Sequence, residues 1–276
     1  MNTQKIALYY QPTPDVTSFF DMIDFAAEHD LPAVEGFNFM ELTEPDTEAA
    51  RRIRAYAEKR GIVFCCMSVY ADLVGEDRAT QVERMQRFTD VAVILGAPFI
   101  HHTVIPTNDR ALLTPENRER FFRQAVEGIR QIYDYAAARG VRAIYEDQAF
   151  VINGVEGVAR LLEEVDRDIG LVADFGNIRQ YGETIQPFIR RFGDRIVHVH
   201  LKDMKPATAD TPNALITWQG NWIVETEPGT GDVDFVESIA LLKAAGYDGW
   251  YAMEYGLPTT LSGVETALRR TREWLK

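Results

Sequence analysis

The chain has 276 residues, of which 46% are hydrophobic and 26% charged, enough to bury the core of one large α/β domain. Its net charge of −13 opposes non-specific attraction to nucleic acid or to an anionic membrane. The start, MNTQKIALYYQ, lacks a signal-like pattern and no run approaches spanning length; Cys65 and Cys66 are adjacent and poorly placed for a disulfide, so a reduced, cytoplasmic setting is expected.

Apolar runs of strand length alternate with helical periodicity from end to end. Ile6–Tyr10 precedes a helix over 16–29, and Ala33–Phe37 precedes one over 47–60 that Gly61 closes. Ile62–Met67 leads to a helix over 79–95 stopped by Gly96. Phe99–His102 leads to a long helix ending at Gly140, with Thr114 as its N-cap and Pro115 in its first position. Val141–Glu146 is followed by a helix over 155–165, and Ile169–Asp174 by one over 184–192. After Ile196–Leu201 comes an irregular stretch, 202–228, with Pro206, Pro212, Trp218 and Trp222. A helix over 233–245, the strand Trp250–Glu254 and a helix over 261–275 complete the chain. Eight strand–helix pairs without a linker predict a single (β/α)₈ barrel domain over 1–276, with 202–228 as a lid over its mouth.

The last four strands each end in a side chain that can bind a metal: Glu146, Asp174, His200 and Glu254. Alternation puts Ile144 on the face of Glu146, Val172 on that of Asp174, His198 on that of His200 and Ala252 on that of Glu254. The intervals of 28 and 26 residues match one strand–helix unit, and that of 54 fits a unit plus an insertion. Three carboxylates converging at one end of a barrel repel one another, so a cation is expected between them. The hard oxygen and nitrogen set suits one divalent ion, manganese first, with magnesium, cobalt or zinc as the other candidates. An ion that chelates a hydroxy-ketone acidifies its α-hydrogen, and Glu146 and Glu254, facing each other, form a candidate acid–base pair. The chemistry expected is epimerisation or aldose–ketose isomerisation through an enediolate.

The patterns IYEDQ, DFGN, HVHLKD, PGTGDVDF and AMEYG, in this order, resemble the sugar phosphate isomerase/epimerase family with the xylose-isomerase-like barrel. That family includes ketose 3-epimerases, inosose dehydratase and isomerase, hydroxypyruvate isomerase and, more distantly, endonuclease IV. The resemblance covers nearly the whole chain, and AVEGF around Glu35 resembles a recurrent second-strand feature. It implies Glu146, Asp174, His200 and Glu254 as metal ligands and the two glutamates as catalytic acid and base. Two positions depart from the pattern: Asn177 stands where many relatives have histidine, and Pro206 where ketose 3-epimerases usually have arginine.

Further candidates for contact with a sugar or polyol substrate are Glu35 and Gln148 at the mouth, His102 (the more inward of His101 and His102), Asn177, Lys202 and Trp218. His198 is expected one layer below His200. The stretch PGTGD at 228–232 offers backbone N–H groups, with a turn and cap as its simplest use. A dehydratase of the inosose type is the alternative reaction, with Lys202, Asp203 or a glutamate as the acid. An abasic-site nuclease fits poorly, since no histidine follows His200 and the charge is wrong for DNA. The carboxylate pair argues against a sugar-binding module without catalysis. A homo-oligomer stays open.

Overall fold

The eight apolar runs become the eight staves of a closed parallel barrel. The computed structural model describes residues 4–10, 13–104, 109–256 and 260–276. In chain order the elements are β1 (Ile6–Tyr9), α1 (Phe19–Glu28), β2 (Ala33–Phe37), α2 (Thr47–Lys59), β3 (Val63–Val69), α3 (Arg78–Leu95), β4 (Phe99–His102), α4 (Pro115–Ala137), β5 (Arg142–Glu146) and α5 (Gly154–Val165). They continue with β6 (Gly170–Asp174), α6 (Ile178–Tyr181), α7 (Ile185–Phe192), β7 (Ile196–Leu201), β8 (Asp203–Ala207), β9 (Leu215–Ile216), β10 (Trp222–Thr226), α8 (Phe235–Ala244), β11 (Tyr251–Glu254) and α9 (Leu261–Trp274). The barrel order is β1-β11-β7-β6-β5-β4-β3-β2, closing on itself with every pair parallel.

Local chemistry sets the helix ends where the sequence put them. Thr114 accepts the Asn117 N–H at 3.2 Å ahead of Pro115, and Asp46 accepts the Glu48 and Ala49 N–H groups at the start of α2. Gly96 stops α3 at φ 74°, a left-handed conformation that disfavours any Cβ.

Two apolar layers result. The larger lies between barrel and helices, and includes Leu8, Val34, Ile100, Tyr145, Leu171, Val199 and Met253. The smaller fills the barrel itself, from Ala7, Tyr9, Ala33, Cys65, Cys66, Ile144, Val172 and Ala252. Ile144, Val172 and Ala252 thus face inward, as alternation required, and both cysteines are buried free thiols. Among the described residues no helix is long and apolar enough to cross a membrane.

The stretch after β7 is not irregular. Its residues form a three-stranded antiparallel sheet, β8-β10-β9, with Trp222 opposite Ala207 and Thr226 opposite Asp203. Pro206 sits in β8, an edge strand paired on one side only, the place in a sheet where proline is tolerated.

Candidate metal centre

Glu146, Asp174, His200 and Glu254 emerge together at the C-terminal ends of β5, β6, β7 and β11. Asp174 lies directly opposite His200 in the β6–β7 register, and Ala252, two residues before Glu254, is opposite His200 on the other side. One ligand atom from each of the four lies within 4.8 Å of the other three. His200 Nδ1 is 2.9 Å from Glu146 Oε2, 3.1 Å from Glu254 Oε2 and 3.6 Å from Asp174 Oδ2. His200 Nδ1, Asp174 Oδ2 and Glu254 Oε2 are buried and have no hydrogen-bond partner among the described residues. Buried lone pairs converging on one point are costly unless a cation takes them. Their donor set, three carboxylate oxygens and one imidazole nitrogen, fits a divalent ion of the manganese, magnesium, cobalt or zinc type.

Beneath this cluster lies a second layer, in which His198 stands as alternation expects and Glu35 and Ser68 join it. Glu35 is fully buried; its Oε2 meets His198 Nε2 at 2.6 Å, and its Oε1 meets His200 Nε2 at 3.1 Å and accepts the Ser68 hydroxyl. Burial alone would raise Glu35, but the facing imidazoles of His198 and His200 outweigh it and hold its carboxyl well below the usual range. An ionised Glu35 can only accept, so His200 donates from Nε2, and Nδ1, facing the three carboxylates, is the nitrogen left to bind a cation. A carboxylate behind a histidine in this way fixes the ring's tautomer and orientation. Glu35 is therefore fully buried behind His200 and not at the open mouth.

His101, not His102, turns inward. The β4–β5 register sets His101 beside inward Ile144 and His102 beside outward Tyr145. The His102 ring lies 6.0 Å from that of Tyr145, and its Nδ1 is 3.2 Å from the Thr103 carbonyl. His101 Nδ1 is 2.8 Å from Ser68 Oγ, and its Nε2 is 3.1 Å from Glu146 Oε2. Ser68 has one proton and gives it to Glu35, so His101 Nδ1 must donate to Ser68.

Above and beside the cluster, Lys202 is buried, paired with Glu254 Oε1 and 3.5 Å from Asp174 Oδ2. Burial would lower its pKa; Asp174 and Glu254 more than reverse that and hold the ammonium charged. Burial pushes Glu254 up to about 7, with Lys202 opposing and Asp174 adding to the rise. Asn177 donates its amide to Glu146 Oε1 and accepts from Gln180 Nε2 at 3.0 Å and Lys202 Nζ at 3.4 Å. Tyr9 packs its ring 4.9 Å from that of His200. Gln148 is half-buried with Tyr70 beside it, whose phenol feels the charges of Lys202, Glu254 and Glu146. Tyr9, Ser68, Tyr70 and Gln180 were not singled out from sequence. For Tyr9 and Ser68, their position on inward strand faces was the available signal.

Trp218 packs against residues that follow β4, β5 and β6. It stacks on Tyr181 at 5.8 Å, meets Phe150 edge-on at 5.3 Å, and lies under the Arg110 and Arg118 guanidinium groups. Its backbone N–H donates to the Gln180 carbonyl at 2.8 Å, which ties the tip of the small sheet to α6. The PGTGD amides are already used: Asp203 Oδ2 accepts the N–H groups of Gly229, Thr230 and Gly231, and its Oδ1 those of Met204 and Val233. That stretch is a turn closed by its own carboxylate and has no free cradle for a phosphate.

A family model described as xylose isomerase-like TIM barrel matches residues 23–276. An inosose dehydratase of Geobacillus thermodenitrificans is 31% identical over 137 residues, which cover 47% of this chain and 45% of that protein. The chain thus matches about half the length of that curated relative. Among solved structures, an IolI protein with a bound zinc atom superposes with a TM-score of 0.79 at 17% identity, covering 99% of this chain and 98% of the other. A D-psicose 3-epimerase from Clostridium cellulolyticum H10, solved with D-tagatose, gives 0.76 at 17% identity over 99% and 100%. At that identity the likeness is one of fold.

Proposed function

Since this chain belongs to the xylose isomerase-like TIM barrel family, we propose that it is a divalent-metal-dependent enzyme that enolises a small keto-sugar or polyol-derived hydroxy-ketone, with isomerisation or epimerisation as the outcome. The observation that carries this reading is the set of buried ligand atoms on Asp174, His200 and Glu254 that lack a hydrogen bond among the described residues and gather with Glu146 at the barrel mouth. Glu146, Asp174, His200 and Glu254 would hold the ion, and manganese suits the three carboxylates and one imidazole. When bound, the ion supplies Lewis-acid polarisation of the ketone oxygen and lowers the acidity barrier of the adjacent C–H.

The chain's own groups do the rest. A carboxylate takes the α-proton, and the Lys202 ammonium, buried among Asp174, Glu254 and Asn177, stabilises negative charge that develops on substrate oxygen. Tyr9, Tyr70 and Gln148 are the neighbours that would orient a polyol and limit water at the mouth. A second reading, dehydration, has its own support: the curated relative is an inosose dehydratase, and Lys202 offers an acid for a departing β-hydroxyl. Metal-loaded protein in D₂O with an inosose, D-fructose and D-fructose 6-phosphate tests both. NMR should report deuterium at the carbon next to the ketone, and loss of water would select dehydration. No exchange with any of the three would refute the enolisation reading.

A further inference from the structure

The two glutamates expected to share the proton work are not equivalent. Each turns one oxygen, Oε2, to the ligand cluster, so what holds the other oxygen decides what each can do. On Glu146, Oε1 accepts the Asn177 amide, while Oε2 has His200 Nδ1 at 2.9 Å and His101 Nε2 at 3.1 Å. The amide cannot be rotated to release it. Asn177 Oδ1 already accepts from Gln180 and Lys202, both donors, so only the NH₂ group can face Glu146. Only 3% of the Glu146 side chain is exposed, against 14% for Glu254. On Glu254, Oε1 is held by no amide among the described residues; it is paired with the Lys202 ammonium at the end of a rotatable stem.

We propose that Glu254, assisted by Lys202, is the sole proton carrier of this site, and that Glu146 is a metal ligand clamped by Asn177, with Gln180 as the positioning residue that fixes the clamp. This rests on the enolisation reading above and narrows it: the proton leaves and returns on one face of the ketone, which favours same-face isomerisation or dehydration over epimerisation. In the first step the C–H bond breaks, its electron pair forms the carbon–carbon double bond, the carbonyl π pair moves to oxygen, and the proton goes to Glu254 Oε1. In isomerisation the oxygen that carried the carbonyl gains a proton, the neighbouring hydroxyl loses one, and Glu254 returns its proton to the adjacent carbon. In dehydration the oxygen pair re-forms the carbonyl, the double bond shifts by one carbon, and the β-C–O bond breaks. The departing oxygen then takes the proton from Glu254, so that one water leaves and the carboxylate is regenerated.

The test uses the full chain loaded with Mn²⁺ in D₂O and the same three probes, with metal occupancy read by EPR. Unsubstituted protein is expected to deuterate the carbon next to the ketone with its configuration retained. This measurement needs no variant. Glu254→Gln and Lys202→Met, shown by EPR to hold Mn²⁺, are expected to lose exchange by a factor of about 100 or more. Glu146→Gln is expected to need about 10 to 100 times more Mn²⁺ and, once filled, to lose markedly less exchange than filled Glu254→Gln. Asn177→Leu and Gln180→Leu should weaken Mn²⁺ binding by about tenfold or more, a loss that extra Mn²⁺ restores. Deuteration with inverted configuration would overturn the single-carrier assignment and leave enolisation standing, as would loss of exchange in filled Glu146→Gln as deep as in Glu254→Gln. Absence of exchange in the unsubstituted protein would overturn both.

Discussion

Replacing Glu35 by glutamine probes the layer beneath the ligands without changing its volume. The carboxylate serves three donors: His198 Nε2, His200 Nε2 and Ser68 Oγ. An amide keeps one oxygen, which His200 and Ser68 both need on the same side, and turns its NH₂ to His198. His198 must then accept through Nε2 and carry its proton on Nδ1, an atom buried with no hydrogen-bond partner among the described residues. One buried, unsatisfied N–H costs about 1–3 kcal/mol, and loss of the charge-assisted bonds adds about 1 kcal/mol, so the variant should be less stable by about 2–4 kcal/mol. Sign matters for its pH dependence. Glu35 is held below its ordinary pKa in the folded chain, so it contributes stability above that ordinary value and loses it as pH falls. The glutamine variant should lack that part of the acid response. Deprived of its carboxylate partner, His200 should bind Mn²⁺ about 10 to 100 times more weakly. Urea denaturation at pH 7 and pH 4, with calorimetric Mn²⁺ titration, reads all three. A variant as stable as the parent, with unchanged Mn²⁺ affinity, would refute the idea that Glu35 sets the His200 tautomer.

Burial lowers His102 to about 4, so above its ordinary value both folded and unfolded forms are neutral, and stability falls as pH drops from about 6.5 towards 4. The loss should reach about 3 kcal/mol near pH 4, measurable by urea denaturation, and His102→Leu should flatten that slope. Chelation should lower the melting temperature, and Mn²⁺ at about 100 times its Kd should add about 2.7 kcal/mol, followed by thermal melting against Mn²⁺ concentration. Trp218→Ala, which strips the small sheet of its contact with Tyr181 and Phe150, should cost about 2 kcal/mol while Mn²⁺ affinity stays within about twofold. Denaturation and calorimetry on the same variant check that split.

The strands and the identity of the ligand candidates were legible because their information is local. Period-two alternation along IYE, VAD and AME puts each carboxylate on the face of the apolar residue two positions before it, and Ile144, Val172 and Ala252 do fill the barrel; along HVH it sets His200 on the face of His198. Caps and left-handed stops such as Thr114 and Gly96 likewise depend on a few neighbouring residues. What escaped the sequence depends on partners far away in the chain. His101 and His102 are both plausible inward residues until β5 is set beside β4, when pairing with Ile144 or Tyr145 decides between them. Glu35 is a mouth residue by sequence, yet it is fully buried and its carboxylate meets His198 and His200, the latter 165 residues away in the chain. The sheet over 203–226 escaped for the same reason. Its two main strands hold few strong local signals and one proline, and only their pairing across the intervening turn makes them strands. Alternation is a property of the chain; register is fixed by burial of the whole barrel, and a shift of one residue exchanges the inward face for the outward one.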